Sequence, residues 1–272
     1  MSTILVATNF SKTSNNAVEY SASIAKLFNT KLILFNAFKL PVHASNTLLS
    51  AASMDGLMEK NKNKLKEIAL DISKRFGIEV DYTCSYVNLE QEIDRLMSVH
   101  DSQFLAMGMS SKSMEQNLLG NPTTTLISMK KFPVLAIPVD AKFTGVQKIL
   151  FACDLMQDIP LKTLARLRQI ALKLKADVTV FYVDQTINEL KLSASSQDTI
   201  DKELEGVTLL YKNIASNTVI DEIEKEIKKS NSELLVMVPK KYGFWESIIH
   251  KSKTRVMASG INIPLLSIPI DK

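Results

Sequence analysis

Short apolar runs alternate with longer amphipathic stretches along this chain, and the whole alternation occurs twice. Ile4-Leu5-Val6-Ala7 is an apolar run ending in Thr8-Asn9-Phe10, and Ile149-Leu150-Phe151-Ala152 ends in Cys153-Asp154-Leu155. Each is followed by apolar residues at helical spacing: Ala17, Ile24, Ala25 and Phe28 in the first half, Leu161, Leu164, Leu167, Ile170, Ala171 and Leu174 in the second. A second strand follows each helix, Lys31–Phe35 and Asp177–Phe181. Near the ends of the halves Phe104–Met107 matches Leu234–Met237, and Pro133–Pro138 matches Pro264–Pro269. Matched landmarks in one order predict an internal duplication, with domains at 1–140 and 148–272 and a polar linker over about Asp140–Gln147.

Between the landmarks the pattern predicts a helix over Met54–Phe76, a strand over Ile78–Tyr86 and a helix over Leu89–Val99. The second half has a short helix over Ser193–Leu204, a strand over Val207–Ile214 and a helix over Val219–Lys229. Strands alternating with helices predict the α/β class, here two tandem doubly wound parallel-sheet domains with helices on both faces. The strands are continuous apolar runs, as a sheet covered on both faces requires. Ligands of such sheets bind beyond the carboxyl ends of the strands, where the strand order reverses. The positions to search are therefore those after Ala7, Phe35 and Met107, with their counterparts in the second half.

Composition narrows the classes. The chain has 272 residues, of which 46% are hydrophobic, enough for real cores. Its net charge of +4 comes from 33 basic and 29 acidic residues spread along the chain, so charge does not point to nucleic acid. Cys84 and Cys153 form no disulfide framework and fit a reducing compartment. No apolar run reaches the roughly 18 residues needed to cross a membrane, and no secretory signal pattern is found. The expectation is a cytoplasmic protein without a membrane partner. His43, His100 and His250 fit no metal-ligand spacing, and no nucleophile elbow, dinucleotide fingerprint or Walker loop occurs. The acids of Asp221–Glu226 read as a solvated helix face, and Cys153 as a structural residue.

Candidate chemistry sits after the fourth strand. Met107-Gly108 leads into a polar loop, Met109–Leu119, then Gly120-Asn121-Pro122-Thr123-Thr124 opens a helix. Glycine permits close backbone approach, and the free N–H groups of a first helical turn attract an anion such as a phosphate. The hydroxyls of Thr123 and Thr124 add hydrogen-bonding capacity. The competing reading is that Gly108 turns the chain and Asn121 caps the helix.

This run resembles the glycine motif of the universal stress protein family, Gly-x2-Gly-x9-Gly-(Ser/Thr), ahead of a strand reading Pro-Val-Leu. The opening Ile-Leu-Val followed by Asn-Phe-Ser is similar to the same family, and the resemblance extends once through each half. It implies a universal stress protein-like, adenine nucleotide alpha hydrolase-like fold that binds ATP, ADP or AMP, with Mg, in a stress-response regulatory role. Carried over by residue, Gly108 and Gly120 match the first and last glycines, and Ser111 stands at the middle glycine. Asn121 replaces the following Ser/Thr, Asn9 replaces an Asp near the sugar, and Asn36 and Ala37 sit at the base-contacting position. The span from Gly108 to Gly120 is one residue shorter than the motif. The resemblance also implies edge-to-edge pairing through the final strands, Val134–Ile137 and Leu265–Ile268, within one chain or in a homodimer.

The second half keeps Asp154 but departs in its loop. Its fourth strand ends in Val238-Pro239, and Lys240–Arg255 carries lysines and the pair Phe244-Trp245, with Lys251 where the last glycine belongs. That loop reads either as an anion-binding rim or as aromatic packing that covers the sheet end or docks on a partner. With no water-activating base in view, weak ATPase activity ranks behind binding. A scaffold that works through a protein partner, without nucleotide, is the alternative to the binding reading.

Overall fold

A computed structural model describes residues 2–37, 51–86, 88–109, 122–153, 159–184, 194–216, 218–238 and 262–270. Its contacts divide the chain into two compact units, Met1–Met109 with Ile137–Lys142, and Ser110–Ala136 with Phe143–Lys272. The fold is mixed α/β with a mostly parallel sheet, as the sequence predicts.

In the first unit β1 (Thr3–Ala7) leads to α1 (Lys12–Phe28), β2 (Lys31–Ala37), α2 (Ala51–Phe76), β3 (Val80–Ser85), α3 (Leu89–Val99) and β4 (Ser102–Met109). Ile4, Leu5, Val6, Leu32, Leu34 and Phe35 are fully buried, because helices cover the strands they belong to. The α1 start is set by Ser11, whose Oγ accepts the Ser14 N–H at 3.3 Å, and its end by Asn29 in the left-handed region. Asn88 caps α3 by accepting the Glu90 and Gln91 N–H groups. The strand order is β3-β2-β1-β4, all parallel. β1 feeds β2 on one side, and β3 returns to β4 on the other, so the order reverses between β1 and β4.

The second unit contains α4 (Pro122–Met129), β5 (Val134–Pro138), β6 (Lys148–Ala152), α5 (Leu161–Leu174), β7 (Asp177–Asp184), α6 (Ala194–Glu203), β8 (Leu209–Ala215), α7 (Val219–Ser230), β9 (Leu234–Met237) and β10 (Leu265–Ser267). The last two residues of β5 cluster with the first unit. The order runs β5-β10-β9-β6-β7-β8, parallel except at β5, where Val134, Leu135 and Ala136 face Ser267, Leu266 and Leu265 in antiparallel register.

Local geometry repeats between the units. Thr8 N–H donates to Phe35 O at 2.8 Å, as Cys153 N–H does to Phe181 O at 3.1 Å. Asn29 and Lys175 close α1 and α5 in the left-handed region, and the Thr30 and Ala176 N–H groups each reach back to an alanine carbonyl at 2.9 Å.

One expectation needs correction. Of the acidic run Asp221–Glu226, Glu226 is buried at 3% exposure, and its carboxylate accepts from Lys212 Nζ. Helical spacing places Glu226 beside Ile223 and Ile227, on the face of α7 that packs on β6 and β7. Lys212 on β8 supplies the compensating charge.

Candidate functional site

The strand register of the first unit assembles the site. Ala7 lies beside Phe35 on β2 and Met107 on β4. One residue further on, Thr8, Asn36 and Gly108 form the next row at the carboxyl ends, and Cys84 of β3 pairs with Asn36. Asn9, Asn36, Ala37 and Gly108 are therefore brought to one edge of one sheet, at the switch in strand order. Thr123 is buried and Thr124 half-buried on the first turn of α4, in the second unit. Ser111, Gly120 and Asn121 lie outside the described residues, as do Asp154, His43, His250, most of the Lys39–Ala52 segment and the Lys240–Arg255 loop.

The turn between β1 and α1 is held by a hydroxyl network. Ser14 Oγ donates to Asn9 Oδ1 at 2.9 Å and accepts from the Thr8 hydroxyl at 3.1 Å. Asn9 Oδ1 also accepts the Ser11 N–H at 3.1 Å, the geometry of an Asx turn. Asn9 itself is exposed, and an Asp could accept the same bonds with added charge. The network holds Phe10 at φ 65, a conformation that bulky residues rarely adopt, with its N–H on Thr8 Oγ1. The Phe10 ring is half-buried and carries Lys64 Nζ of α2 at 4.4 Å from its centroid.

Asn36 is committed inward. It is 3% exposed, its Nδ2 donates to Thr8 O at 2.7 Å, and its Oδ1 accepts from Cys84 Sγ at 3.6 Å. Ala37, half-buried, is the more exposed residue of that pair. Burial pushes the Cys84 thiol above its ordinary pKa, so it is held as a thiol.

Gly108 departs from the reading in which it turns the chain. It lies within β4 and is not among the glycines with positive φ, so it does not turn the chain. A Cβ there would meet the Thr13 carbonyl oxygen at 2.6 Å, so the glycine is needed for α1 to approach β4. Thr13 and Gly108 lie far apart in the chain, so their contact cannot be read from spacing.

The second unit builds a different row. Its register puts Ala152 beside Phe181 and Met237, so Cys153, Tyr182 and Val238 follow, with Asn213 beside Tyr182. Tyr182 is 7% exposed and its hydroxyl accepts from Asn213 Nδ2 at 3.1 Å. Val238 stands where Gly108 stands, and α5 starts at Pro160 without a side-chain cap. On β8 the Tyr211 hydroxyl bonds Asp201 at 2.8 Å, and burial with that carboxylate raises its pKa. Among the described residues no group of three or more His, Cys, Asp or Glu could hold a metal ion. Among them, too, no helix is long and apolar enough to cross a membrane.

The profile of the Universal stress protein family matches residues 1–138. The structure of a universal stress protein from Archaeoglobus fulgidus DSM 4304 is similar at a TM-score of 0.74 and 16% identity, over 98% of this chain and 96% of that one. A candidate universal stress protein from Pseudomonas aeruginosa UCBPP-PA14 is similar at 0.55 and 15%, over 98% and 92%. The cytoplasmic domain of a prokaryotic cation chloride cotransporter is similar at 0.55 and 10%, over 98% and 94%. At these identities the likeness is one of fold. No curated relative matches by sequence.

Proposed function

The chain belongs to the universal stress protein family, and from that premise we propose that it is a stress-response regulatory protein that binds an adenine nucleotide in its first half. ATP, ADP and AMP are the candidate ligands, with Mg accompanying the phosphates. The observation that carries this reading is the row Asn36-Thr8-Gly108 at the carboxyl ends of β2, β1 and β4, with Asn9 exposed beside it. Ala37 would border the base and Asn9 the sugar. The loop from Gly108 through Ser111, Gly120 and Asn121 to Thr123 and Thr124 would hold the phosphates through backbone N–H groups and hydroxyls.

We assign the duplicated halves to 1–140 and 148–272, supported by the repeated strand order and the paired backbone bonds. The antiparallel contact of β5 with β10 supports pairing of the two halves inside one chain, with a homodimer as the other arrangement. The proposed place of action is the cytoplasm, and binding ranks ahead of a weak ATPase activity.

A second reading is favoured by Gly108. Its lack of a side chain is accounted for by Thr13 packing without any ligand. On that reading the chain is a scaffold that works through a protein partner.

Calorimetric titration with ATP, ADP and AMP, with and without Mg, separates the two. Saturation near one site per chain, abolished by Gly120→Val, supports the nucleotide reading. Absence of binding at millimolar nucleotide overturns it and leaves the scaffold. Gly108→Val is unsuitable as the probe, because its side chain would collide with Thr13 backbone whether or not nucleotide binds.

A further inference from the structure

Helix α2 is longer than the sheet it covers. Its 26 residues run about 39 Å at the usual helical rise, against about 23 Å for the seven-residue strand β2. The helix ends at Phe76, shortly before β3 begins at Val80, so its carboxyl end lies at the amino edge of the strands. Its first half therefore passes the carboxyl edge. Burial follows the same division: residues 55–64 include no buried side chain, whereas Leu65, Ala69 and Ile72 are each at most 3% exposed.

Lys64 stands at that boundary. Helical side chains lean toward the helix amino terminus, which here carries the ammonium toward the strand ends. It lies over Phe10, the residue after Asn9, and Phe10 is fixed at φ 65 by the Thr8–Ser14 network. Among the described residues no carboxylate pairs with Lys64, whereas Lys31, Arg75, Arg95, Lys212 and Lys225 each pair with one. An ammonium on an aromatic face is held only weakly at an exposed site and can be transferred to a stronger anionic partner.

We propose that Lys64 is a ligand-contacting residue of the first-half site, where its ammonium leaves the Phe10 ring to pair with an anionic group of the bound nucleotide. The inference rests on the nucleotide reading above and adds a cation from α2. A cation there offsets the departures from the glycine motif at Ser111 and Asn121, because it attracts the ligand by charge rather than by backbone cradle.

The test is ATP titration of the whole protein at several salt concentrations, with Lys64→Met, Lys64→Arg and Lys62→Met beside the wild type. Methionine keeps an apolar stem against Phe10 and removes only the charge. Lys62 is two residues away, on the opposite side of the helix, and controls for a general change of field. The expected result is about a fivefold loss of ATP affinity in Lys64→Met with a shallower salt dependence. Lys64→Arg should retain affinity, and Lys62→Met should stay within about twofold of wild type. Equal affinity in Lys64→Met and wild type, or an equal loss in Lys62→Met, overturns the inference and leaves the nucleotide reading standing. Failure of the wild type itself to bind ATP overturns both.

Discussion

At Gly108 a single missing methyl group decides how α1 meets β4. Alanine there would press its Cβ to 2.6 Å from the Thr13 carbonyl oxygen, a backbone atom that cannot rotate away. Gly108→Ala should lower stability by about 1–3 kcal/mol, measured by urea denaturation. Gly56, inside α2 with open space at its Cβ, is the contrast: Gly56→Ala should raise stability by about 0.5–1 kcal/mol. Cys84 offers a second residue-scale measurement. Its thiol is raised above the ordinary 9.0 by burial, so the folded protein holds less thiolate at any given pH than the unfolded chain. Alkylation of Cys84 by iodoacetamide, followed against pH, should therefore have its midpoint above that of the denatured protein. The Asx turn at Asn9 and the cap at Ser11 are local chemistry that depends only on neighbouring residues. The inward commitment of Asn36 and the approach of Thr13 to Gly108 were not legible in the sequence, because each depends on which strands become neighbours.

At the scale of elements, apolar periodicity located most helices and strands to within a few residues. Helix α3 at Leu89–Val99 and helix α5 at Leu161–Leu174 begin and end where the sequence places them. Strand β4 runs past Met107 to Met109, since an extended glycine ends no strand by itself. Periodicity failed at Glu226, where a charged residue occupies a buried position of α7. A charge reads as surface until its partner is known, and Lys212 lies on a different element. Lys212→Met should cost about 2–3 kcal/mol by leaving the buried carboxylate unpaired, a value reduced by the partial exposure of the lysine. The double variant with Glu226→Gln should recover part of that loss in the same denaturation assay. Asn16 of α1 also joins distant segments, since its Nδ2 donates to Pro138 O at 2.8 Å and Ala141 O at 2.9 Å. Asn16→Ala should cost about 1–2 kcal/mol by releasing that segment from the helix.

Across the whole molecule, two units share one strand order but carry different residues in the row that matters. The first has Cys84, Asn36, Thr8 and Gly108, and the second has Asn213, Tyr182, Cys153 and Val238. Tyr182 is larger than Asn36, and Val238 has the Cβ that Gly108 lacks. On the proposed function a single nucleotide binds, in the first half. Hydrogen-exchange mass spectrometry with and without saturating ATP and Mg reads this directly. A first-half nucleotide site should slow exchange in peptides covering residues 8–15 and 105–121 and leave peptides covering 153–160 and 238–250 unchanged. Protection confined to the second set, or no protection in either, would contradict it.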